Sequence, residues 1–164
     1  MSAFFQGTET CAQLSPDGRN PYDVEEVGTA RSIEGLSLIK PDLRFGKIDF
    51  YGIDYGRYQK SEFLKRELMY YNVADGCHEL VMPGVSKGTG AACLLEVLEW
   101  ETGLAPSRVY AFGDSENDIS LFDIADESIA MGQSSDAVKN RATFVAGTCR
   151  DDGVAHALRH FDLT

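Results

Sequence analysis

The sequence predicts an α/β fold built around a parallel sheet. One observation leads to this class, and the composition adds that the chain can form a packed core. In the second half of the chain, short apolar runs of strand length alternate with segments that have helical periodicity. Short apolar strands that alternate with helices are typical of a parallel sheet with helices on both faces. The composition, 43% hydrophobic and 25% charged in 164 residues, is that of an ordinary globular protein.

The second half of the chain contains the most regular pattern. A helix is predicted over 88–102, and Gly103 is suited to end it. The apolar face of this helix comprises Ala91, Leu94, Leu95 and Leu98. Buried strands are predicted at 109–112, 128–131 and 143–145. Further helices are predicted at 118–125, 136–141 and 153–161, and the N-cap candidates for the middle one are Ser134, Ser135 and Asp136.

The first half of the chain is less regular. Strands are predicted at 47–53 and 77–82, because β-forming residues dominate these runs. A helix is predicted over 60–72, with Leu64, Leu68 and Tyr71 on one face. Residues 35–40 alternate briefly, which is compatible with a short strand, and residues 16–21 are rich in turn-forming proline, glycine and asparagine.

The charge of the chain restricts the classes of partner. Its 15 basic and 26 acidic residues give a net charge of −11. Such a surface repels phosphate backbones and anionic lipids, so we expect neither nucleic acid nor a membrane as a partner. A small phosphorylated substrate stays compatible with this charge, because it needs only one local pocket of positive charge.

The cysteines and the N-terminus bear on the compartment. Cys11, Cys77, Cys93 and Cys149 are far apart and form no C-x-x-C pair. We therefore predict reduced thiols rather than a zinc site or a disulfide framework. The sequence shows no signal peptide and no run of 18 apolar residues, and a cytoplasmic location is expected.

A cluster of oxygen ligands follows the predicted strand at 109–112. The loop at 113–118 contains three carboxylates and one amide, and ligands of open parallel sheets bind beyond the carboxyl ends of the strands. Mg²⁺ prefers such ligands, and Gly113 is expected to allow a tight turn. The alternative is that Asp114, Asn117 and Asp118 only cap the next helix. One cap residue would suffice, so the additional acids favour a metal site.

A second loop, at 84–90, lies between the strand at 77–82 and the long helix. Its small residues let the backbone approach a ligand, the helix N-terminus favours an anion, and Lys87 adds a positive charge. A flexible surface turn with a solvated lysine is the alternative. The order of residues does not match a Walker A loop. Gly88 and Gly90 resemble only the start of a dinucleotide-binding fingerprint, because Cys93 stands where its third glycine belongs.

Taken together, the two loops resemble the haloacid dehalogenase (HAD) superfamily, and more narrowly its Cof-type phosphatases. Lys87 opens a helix, and about 26 residues later G-D-x-x-N-D follows the next strand. Residues 128–132 resemble the strand and A-M-G turn of that family, and residues 152–155 resemble its closing D-G-V-A motif. The resemblance covers about 81–161, half of the chain.

The resemblance implies an activity and a set of residue roles. These enzymes are Mg²⁺-dependent phosphatases of small phosphorylated metabolites. Asp114 would bind Mg²⁺, Asp118 would orient the metal shell, and Ser115 would lie close to the metal. Lys87 would bind the phosphoryl group and offset its charge, and Asn117 would donate a hydrogen bond to it. The candidate catalytic residues are therefore Lys87, Asp114 and Asp118, and the candidate metal site is Asp114, Asp118 and Ser115.

The chain departs from the family in one motif. The nucleophile and the general acid/base of the family are two aspartates in an N-terminal D-x-D-G-[ST] loop, and no two aspartates here are separated by one residue. Asp17 lies in a proline-flanked turn, and Asp54 is followed by Tyr55 and Gly56. We therefore expect an incomplete half of a HAD-like Rossmannoid parallel sheet over 83–164, preceded by part of an α/β cap domain over 1–82. This chain alone is expected to be inactive.

Alternatives to a fragment of a HAD-like hydrolase stay open. The chain could be a non-catalytic remnant that binds Mg²⁺ or a phosphorylated ligand. It could also self-associate, or pair with a missing N-terminal segment, through an exposed apolar sheet edge. A dinucleotide-binding half-domain is the third hypothesis. Four aromatic or imidazole side chains could face a substrate or pack in a core, namely Tyr51, Tyr55, Tyr58 and His78.

Overall fold

The computed structural model describes residues 3–6, 11–16, 28–39, 41–42, 44–74 and 76–164. The chain divides into two compact units, Met1–Val85 (unit 1) and Ser86–Thr164 (unit 2). The division lies close to the boundary expected between residues 82 and 83. The interpretation of unit 1 as part of a cap domain stays a prediction. The turn expected at 16–21, with Asp17, lies almost wholly outside the described residues.

Unit 1 is built on a six-stranded sheet with the order β3-β2-β1-β4-β6-β5. Neighbouring strands are antiparallel, except for the parallel pair β2 and β3. Strands β4 and β6 lie where the sequence predicts them, whereas β1 and β2 lie in a segment without a clear pattern. The strands are β1 (Ala3–Gln6), β2 (Cys11–Leu14), β3 (Gly28–Ala30), β4 (Lys47–Tyr51), β5 (Met69–Ala74) and β6 (Cys77–Val81).

The core of unit 1 lies between this sheet and three short helices. The helices are α1 (Ile33–Ile39), α2 (Tyr55–Lys60) and α3 (Glu62–Glu67). Alternate residues of each strand point to the same face, and this face carries buried side chains that include Phe5, Ile48, Phe50 and Leu80. Leu36 of α1 is buried with them, and partly buried residues of α2 and α3 pack against the same cluster.

The candidate aromatic residues of unit 1 are packing residues. Tyr55 stacks on His78 with ring centroids 4.8 Å apart, and Tyr58 stacks on Tyr70 at 4.9 Å. The Tyr70 hydroxyl and Nδ1 of His78 are hydrogen-bonded at 2.8 Å. Burial lowers the pKa of His78 below its usual 6.5. Three of the four candidates therefore belong to the core, and Tyr51 lies at its exposed margin.

The prediction of a short strand at 35–40 is wrong. Residues 35–39 belong to α1. The Ser32 hydroxyl accepts a hydrogen bond from the Gly35 N–H at the start of this helix, at 3.1 Å, and such a bond satisfies one of the backbone donors that a helix leaves unpaired. A brief alternation is also compatible with one helical turn, so the pattern alone could not decide between the two.

The prediction of a helix over 60–72 is wrong for the second half of that range. Helix α3 ends at Glu67, Leu68 has extended backbone angles, and β5 begins at Met69. Tyr70 pairs with Leu80 of β6 in the antiparallel ladder. Aromatic residues favour strands, and pairing with a neighbouring strand outweighs a helical spacing that local sequence alone suggests.

Unit 2 contains a three-stranded parallel sheet with the order β7-β8-β9. Every helix and strand predicted for this half is present, although several are shorter than predicted. The α/β class with a parallel sheet is therefore confirmed. The elements are α4 (Lys87–Thr102), β7 (Tyr110–Gly113), α5 (Ile119–Phe122), β8 (Glu127–Ala130), α6 (Asp136–Lys139), β9 (Phe144–Val145) and α7 (Gly153–His160).

Helices cover both faces of the unit 2 sheet. Alternate strand residues contribute to two separate clusters. One cluster joins Ala111 and Ala130 of the sheet to Phe122 of α5 and Val138 of α6. The other joins Ile129 to Ala157 of α7. Two predicted helix ends are also confirmed: the Ser135 hydroxyl accepts from the Val138 N–H to cap α6, and Gly103 ends α4 with a positive φ of 69°.

Helix α4 is less buried than its sequence predicts. Ala91 and Leu95 are half-buried, but Leu94 is 58% exposed and Leu98 is 43% exposed. In the part of the chain that the structure describes, β7 pairs with β8 and with no strand on its other side. One side of α4 and one edge of the sheet are therefore open to solvent within the described residues.

All four cysteines are free, and Cys93 and Cys149 are exposed. Among the described residues, no helix is both long enough and apolar enough to span a bilayer.

Candidate functional site

Within unit 2, Lys87 of one loop that the sequence singles out meets the other loop, at 113–118. Strand β7 ends at Gly113, and residues 114–118 follow at the carboxyl end of the parallel sheet. Residues 116–118 form one turn of 3₁₀ helix, which leads directly into α5. Lys87 is the first residue of α4, and its side chain reaches this loop. Lys87 and the 113–118 loop are therefore brought together, as the motif spacing predicts.

Asp118 holds the loop in place through hydrogen bonds. Its side chain is only 6% exposed. Oδ2 accepts hydrogen bonds from the Asp114 N–H at 2.9 Å, the Ser115 N–H at 3.0 Å and the Ser115 hydroxyl at 3.2 Å. Ser115 and Asp118 thus form a reciprocal capping box at the 3₁₀ turn. Asp118 therefore takes part in capping as the N3 partner of the box, whereas the N-cap is Ser115 and not Asp114.

Lys87 donates to the second oxygen of the same carboxylate. Its Nζ lies 2.5 Å from Oδ1 of Asp118, while the lysine side chain stays 48% exposed. The start of α4 is fixed by Ser86, whose hydroxyl accepts from the Thr89 N–H at 3.1 Å, and by Thr89, whose hydroxyl accepts from the Ser86 N–H at 2.9 Å. The ammonium group is therefore held in position on one side and open to solvent on the other.

The ionisation of Asp118 follows from these contacts. Burial by itself would raise the pKa of its carboxyl group. The hydrogen bond from Lys87, those from the backbone of Asp114 and Ser115, and the charge of Lys87 together outweigh burial and lower the pKa below the ordinary 3.8. Asp118 is consequently a carboxylate at neutral pH, and its negative charge holds the ammonium of Lys87 in place.

Asn117 and Ser115 form the inner side of the loop. Asn117 is buried, and its Oδ1 accepts a hydrogen bond from the Ser115 hydroxyl at 2.8 Å. This bond orients the side-chain amide of Asn117, because the oxygen is directed towards Ser115. Ser115 is therefore placed beside Asn117 and Asp118, where its hydroxyl supports both side chains.

Two glycines permit this close arrangement. A Cβ at Gly113 would lie 2.4 Å from the Cβ of Asp118. Gly113 is thus required for the close approach of Asp118 rather than for the tight turn that the sequence suggests. A Cβ at Gly88 would lie 2.0 Å from the carbonyl oxygen of Ser120. Gly88 therefore has a packing role between α4 and α5, which a dinucleotide fingerprint is not needed to explain.

Ser120 links the two loops and was missed by the sequence reasoning. Its hydroxyl accepts from the Gly88 N–H at 3.0 Å and donates to the carbonyl oxygen of Asn117 at 3.2 Å. One side chain therefore satisfies a backbone donor at the start of α4 and a backbone acceptor in the 113–118 loop. A small hydroxyl residue two positions after the G-D-x-x-N-D motif was the only available signal, and it is common in any helix.

The side chains supply a small donor set for a metal ion. Among the described residues, no group of three or more His, Cys, Asp or Glu side chains is arranged to bind a metal. Mg²⁺ needs fewer protein ligands, because one or two carboxylates commonly bind it together with waters and phosphate oxygens. Asp114 is exposed in the loop and can supply a carboxylate, whereas both oxygens of Asp118 already accept hydrogen bonds. This set fits Mg²⁺ only if water and a phosphorylated ligand complete the shell.

Comparison with known proteins gives a family match and fold matches. The family model described as haloacid dehalogenase-like hydrolase matches residues 53–158. The structure of the HAD subclass IIB sugar phosphatase BT4131 superposes with a TM-score of 0.74 at 20% identity, covering 99% of this chain and 61% of that chain. The fold class predicted from the sequence, α/β and HAD-like, is confirmed by these matches.

Two sequence relatives are phosphatases by their names. The chain is 35% identical over 100 residues to the 5-amino-6-(5-phospho-D-ribitylamino)uracil phosphatase YwtE of Bacillus subtilis, which covers 61% of this chain and 34% of YwtE. It is 40% identical over 76 residues to the phosphoglycolate phosphatase of Nitrosopumilus maritimus, covering 46% of this chain and 31% of that protein. The chain thus spans about a third of the length of these relatives.

Proposed function

The chain belongs to the haloacid dehalogenase-like hydrolases, and from this premise we propose that unit 2 holds the phosphoryl group and the Mg²⁺ ion of a phosphatase. The contact between Lys87 and Asp118 carries the proposal, because it joins the start of α4 to the loop after β7. A phosphoryl group at this point would meet a positive charge that is already fixed in place. Fixed positive charge is most of what phosphoryl transfer requires from a protein.

Each side chain has a distinct role in the proposal. Lys87 binds the phosphoryl oxygens and offsets their charge. Asn117 donates a hydrogen bond to the same group through its amide, whose orientation is set by Ser115. Asp118 is a positioning residue: it holds Lys87 through one oxygen and the backbone of the loop through the other.

Asp114 is the proposed Mg²⁺ ligand, and Asp118 with Ser115 supports it. Support comes from the exposure of Asp114 in the loop and from the hydrogen bond between its N–H and Asp118, which fixes its backbone. When bound, Mg²⁺ would neutralise charge on the phosphoryl oxygens. Water and the phosphorylated ligand would complete the shell, as is common for this ion.

A test of the metal role uses the two exposed acids of one loop. We expect Mg²⁺ to tighten the binding of inorganic phosphate to the wild-type chain, measured by isothermal titration calorimetry with and without the metal. Asp114→Asn should remove this effect of Mg²⁺ and leave metal-free phosphate binding unchanged. Glu116→Gln is the matched control, since Glu116 is also exposed in the loop and makes no contribution in this proposal. Equal effects of the two substitutions would contradict the role of Asp114.

The substrate class is a small phosphorylated metabolite. The names of the relatives, phosphatases of a phosphoribityl compound and of phosphoglycolate, support this class. The net charge of −11 supports a small ligand rather than a polymer of phosphates. A cytoplasmic location is part of the same proposal, and four free thiols are in keeping with it.

Residues 1–164 contain no D-x-D pair, which is the motif that supplies the attacking carboxylate in the family. We therefore expect this chain alone to release no phosphate from an aryl phosphate such as p-nitrophenyl phosphate, even with saturating Mg²⁺. The colorimetric assay with wild type and Asp114→Ala is the test. Mg²⁺-dependent release that disappears in Asp114→Ala would overturn the expectation of inactivity.

A non-catalytic binding module is the second candidate function. The absence of the D-x-D pair favours it, because a chain without a nucleophile can still bind a phosphorylated ligand. The two candidates differ in their dependence on metal. A phosphatase site binds the ligand and Mg²⁺ together, whereas a module that has lost its metal role would bind phosphate equally well with and without Mg²⁺.

A further inference from the structure

One side of α4 carries a regular row of side chains, which we call the α4 stripe. Its members recur at intervals of three or four residues from one turn to the next, so they lie on one face of a helix with about 3.6 residues per turn. Five of them, at positions 87, 91, 94, 98 and 101, follow the heptad spacing that is typical of helices that pair with another helix. The α4 stripe comprises Lys87, Gly90, Ala91, Leu94, Val97, Leu98 and Glu101.

The apolar part of the α4 stripe is uncovered. Leu94 is 58% exposed, Val97 is 45% exposed and Leu98 is 43% exposed. A different side of the helix packs within unit 2, where Gly88 lies against Ser120 of α5. Adjacent exposed apolar side chains on one helix face commonly mark an interaction surface.

The α4 stripe is symmetric about Leu94, and we propose that it binds the α4 stripe of a second copy of this chain. In an antiparallel pair related by a two-fold axis at Leu94, each residue meets the residue equally far on the other side of the centre. Leu94 then meets Leu94 of the second copy. Lys87 meets Glu101 of the second copy, and the two such contacts are about 21 Å from each other along the helix.

The same register matches side-chain sizes. Gly90 meets Leu98 of the second copy, and Ala91 meets Val97 of the second copy. Small residues therefore face large ones on both sides of the central leucine pair, which lets the two helices approach closely. A register shifted by one turn would set Leu98 against Leu94, Ala91 against Glu101 and Gly90 against Thr102, so that neither small residue would face a large apolar side chain.

Charge also favours this arrangement within the interface. Each copy carries a net charge of −11, and two such chains repel each other at long range. At physiological ionic strength this repulsion is screened beyond about 8 Å. The contacts within the interface are of opposite sign, because the lysine at one end of the stripe meets the glutamate at the other. The Lys87 side chain is 48% exposed, so part of it stays accessible to a second copy while it contacts Asp118.

The expected dimer is weak. A single pair of helices of this length buries less surface than a standard stable interface, for which about 1,200–2,000 Å² is usual. We therefore expect a dissociation constant in the micromolar range, and a monomer–dimer equilibrium rather than a permanent dimer. The dimer uses Lys87, which is also the proposed phosphate ligand, so its test contains neither phosphate nor Mg²⁺.

The test is sedimentation equilibrium of the full chain over a range of concentrations. Wild type is expected to shift from its monomer mass of 18.0 kDa towards twice that value. Leu94→Gln should weaken the dimer about 100-fold, since both copies lose the central apolar contact. Trp100→Gln is the matched control: Trp100 is 83% exposed on the same helix but lies outside the α4 stripe, and its substitution should leave the equilibrium unchanged.

A charge substitution tests the register. Glu101→Lys should weaken the dimer about threefold to tenfold at low salt, because lysines would then meet at both ends of the helix pair, and the effect should fall with added salt. Circular dichroism on each variant checks that α4 is intact. A monomeric wild type, or equal effects of Leu94→Gln and Trp100→Gln, would overturn the proposal. A Glu101→Lys variant that dimerises like wild type would overturn the antiparallel register.

Discussion

At the residue scale, the candidate site depends on one buried carboxylate. Asp118 accepts a hydrogen bond from Lys87 on one oxygen and three from Asp114 and Ser115 on the other. A buried charge is tolerated only where it is paired and hydrogen-bonded. Asp118 meets this condition, and in doing so it fixes both the lysine and the loop that would surround a phosphoryl group.

Replacing this carboxylate should destabilise unit 2. Asp118→Asn removes the charge that holds Lys87 and is expected to lower the free energy of unfolding by about 1–3 kcal/mol. Urea unfolding followed by fluorescence or circular dichroism measures the change. Asp123→Asn is the control, because Asp123 forms only a surface ion pair with Arg141, and its loss should cost less than about 1 kcal/mol.

The pH dependence of this difference gives a second readout. The folded-state pKa of Asp118 lies below the ordinary 3.8, so its ionised form contributes stability above that value. The contribution is lost as the pH falls from 3.8 through the lowered pKa. The gap between wild type and Asp118→Asn should therefore be constant near neutrality and shrink at acid pH. A gap that stays unchanged at pH 3 would contradict this assignment.

The sequence predicted some residues of the site better than others. Motif spacing identified Lys87 and the loop at 113–118 with Asn117 and Asp118, because strand ends and helix starts lie at one edge of a parallel sheet. The sequence could not show that Gly113 makes room for Asp118. That requirement arises from a contact between side chain and backbone, which becomes visible only once the loop has folded.

At the scale of elements, the site requires close packing of α4 on α5. Gly88 provides it, since a methyl group there would lie 2.0 Å from the carbonyl oxygen of Ser120. The hydrogen bond from the Gly88 N–H to the Ser120 hydroxyl joins the same two helices. Position 88 is therefore a structural requirement of the site rather than part of a flexible turn.

Gly88→Ala is expected to separate the two helices and to lower the free energy of unfolding by about 1–3 kcal/mol, although alanine favours helices. Thermal and urea unfolding in dilute solution measure it. Gly90→Ala is the control two residues away, where a Cβ would have no neighbour within 4 Å, and it should gain up to about 1 kcal/mol. Destabilisation of both variants to the same extent would contradict the packing role of Gly88.

Element predictions succeeded where local sequence decides the structure. Helix α4 has a long favourable run and a glycine stop, both of which can be recognised locally. Strand β5 was missed because it is stabilised by pairing with β6, and the cross-strand contact between Tyr70 and His78 cannot be inferred from residues 60–72 alone. Such contacts are long-range, so helical spacing predicted the wrong element.

At the scale of the whole molecule, the two units differ in how far the sequence predicted them. Unit 2 follows the regular order of a parallel α/β fold, in which each strand pairs with the next one along the chain. The sheet of unit 1 places β1 between β2 and β4, and β4 beside β6. These pairings join distant segments, and the short strands near the N-terminus contain little local pattern. Their positions could therefore be found only from the structure.

The activity of the whole molecule is separate from the family assignment. Residues 53–158 match the haloacid dehalogenase-like hydrolases, and the described site contains groups suited to hold a phosphoryl group. Lys87 is proposed to bind this group in a fixed position. Binding can be measured on this chain directly, whether or not it catalyses hydrolysis.

The binding of a phosphoryl group by Lys87 can be tested by titration of the chain with inorganic phosphate in the presence of Mg²⁺. Isothermal titration calorimetry should show saturable binding to wild type, weakened at least about tenfold in Lys87→Ala through loss of a charge-assisted hydrogen bond. Lys65→Ala, which removes a lysine paired only with Glu62 at the surface, should bind like wild type. Equal affinity of Lys87→Ala and wild type, or no binding by wild type, would contradict the account.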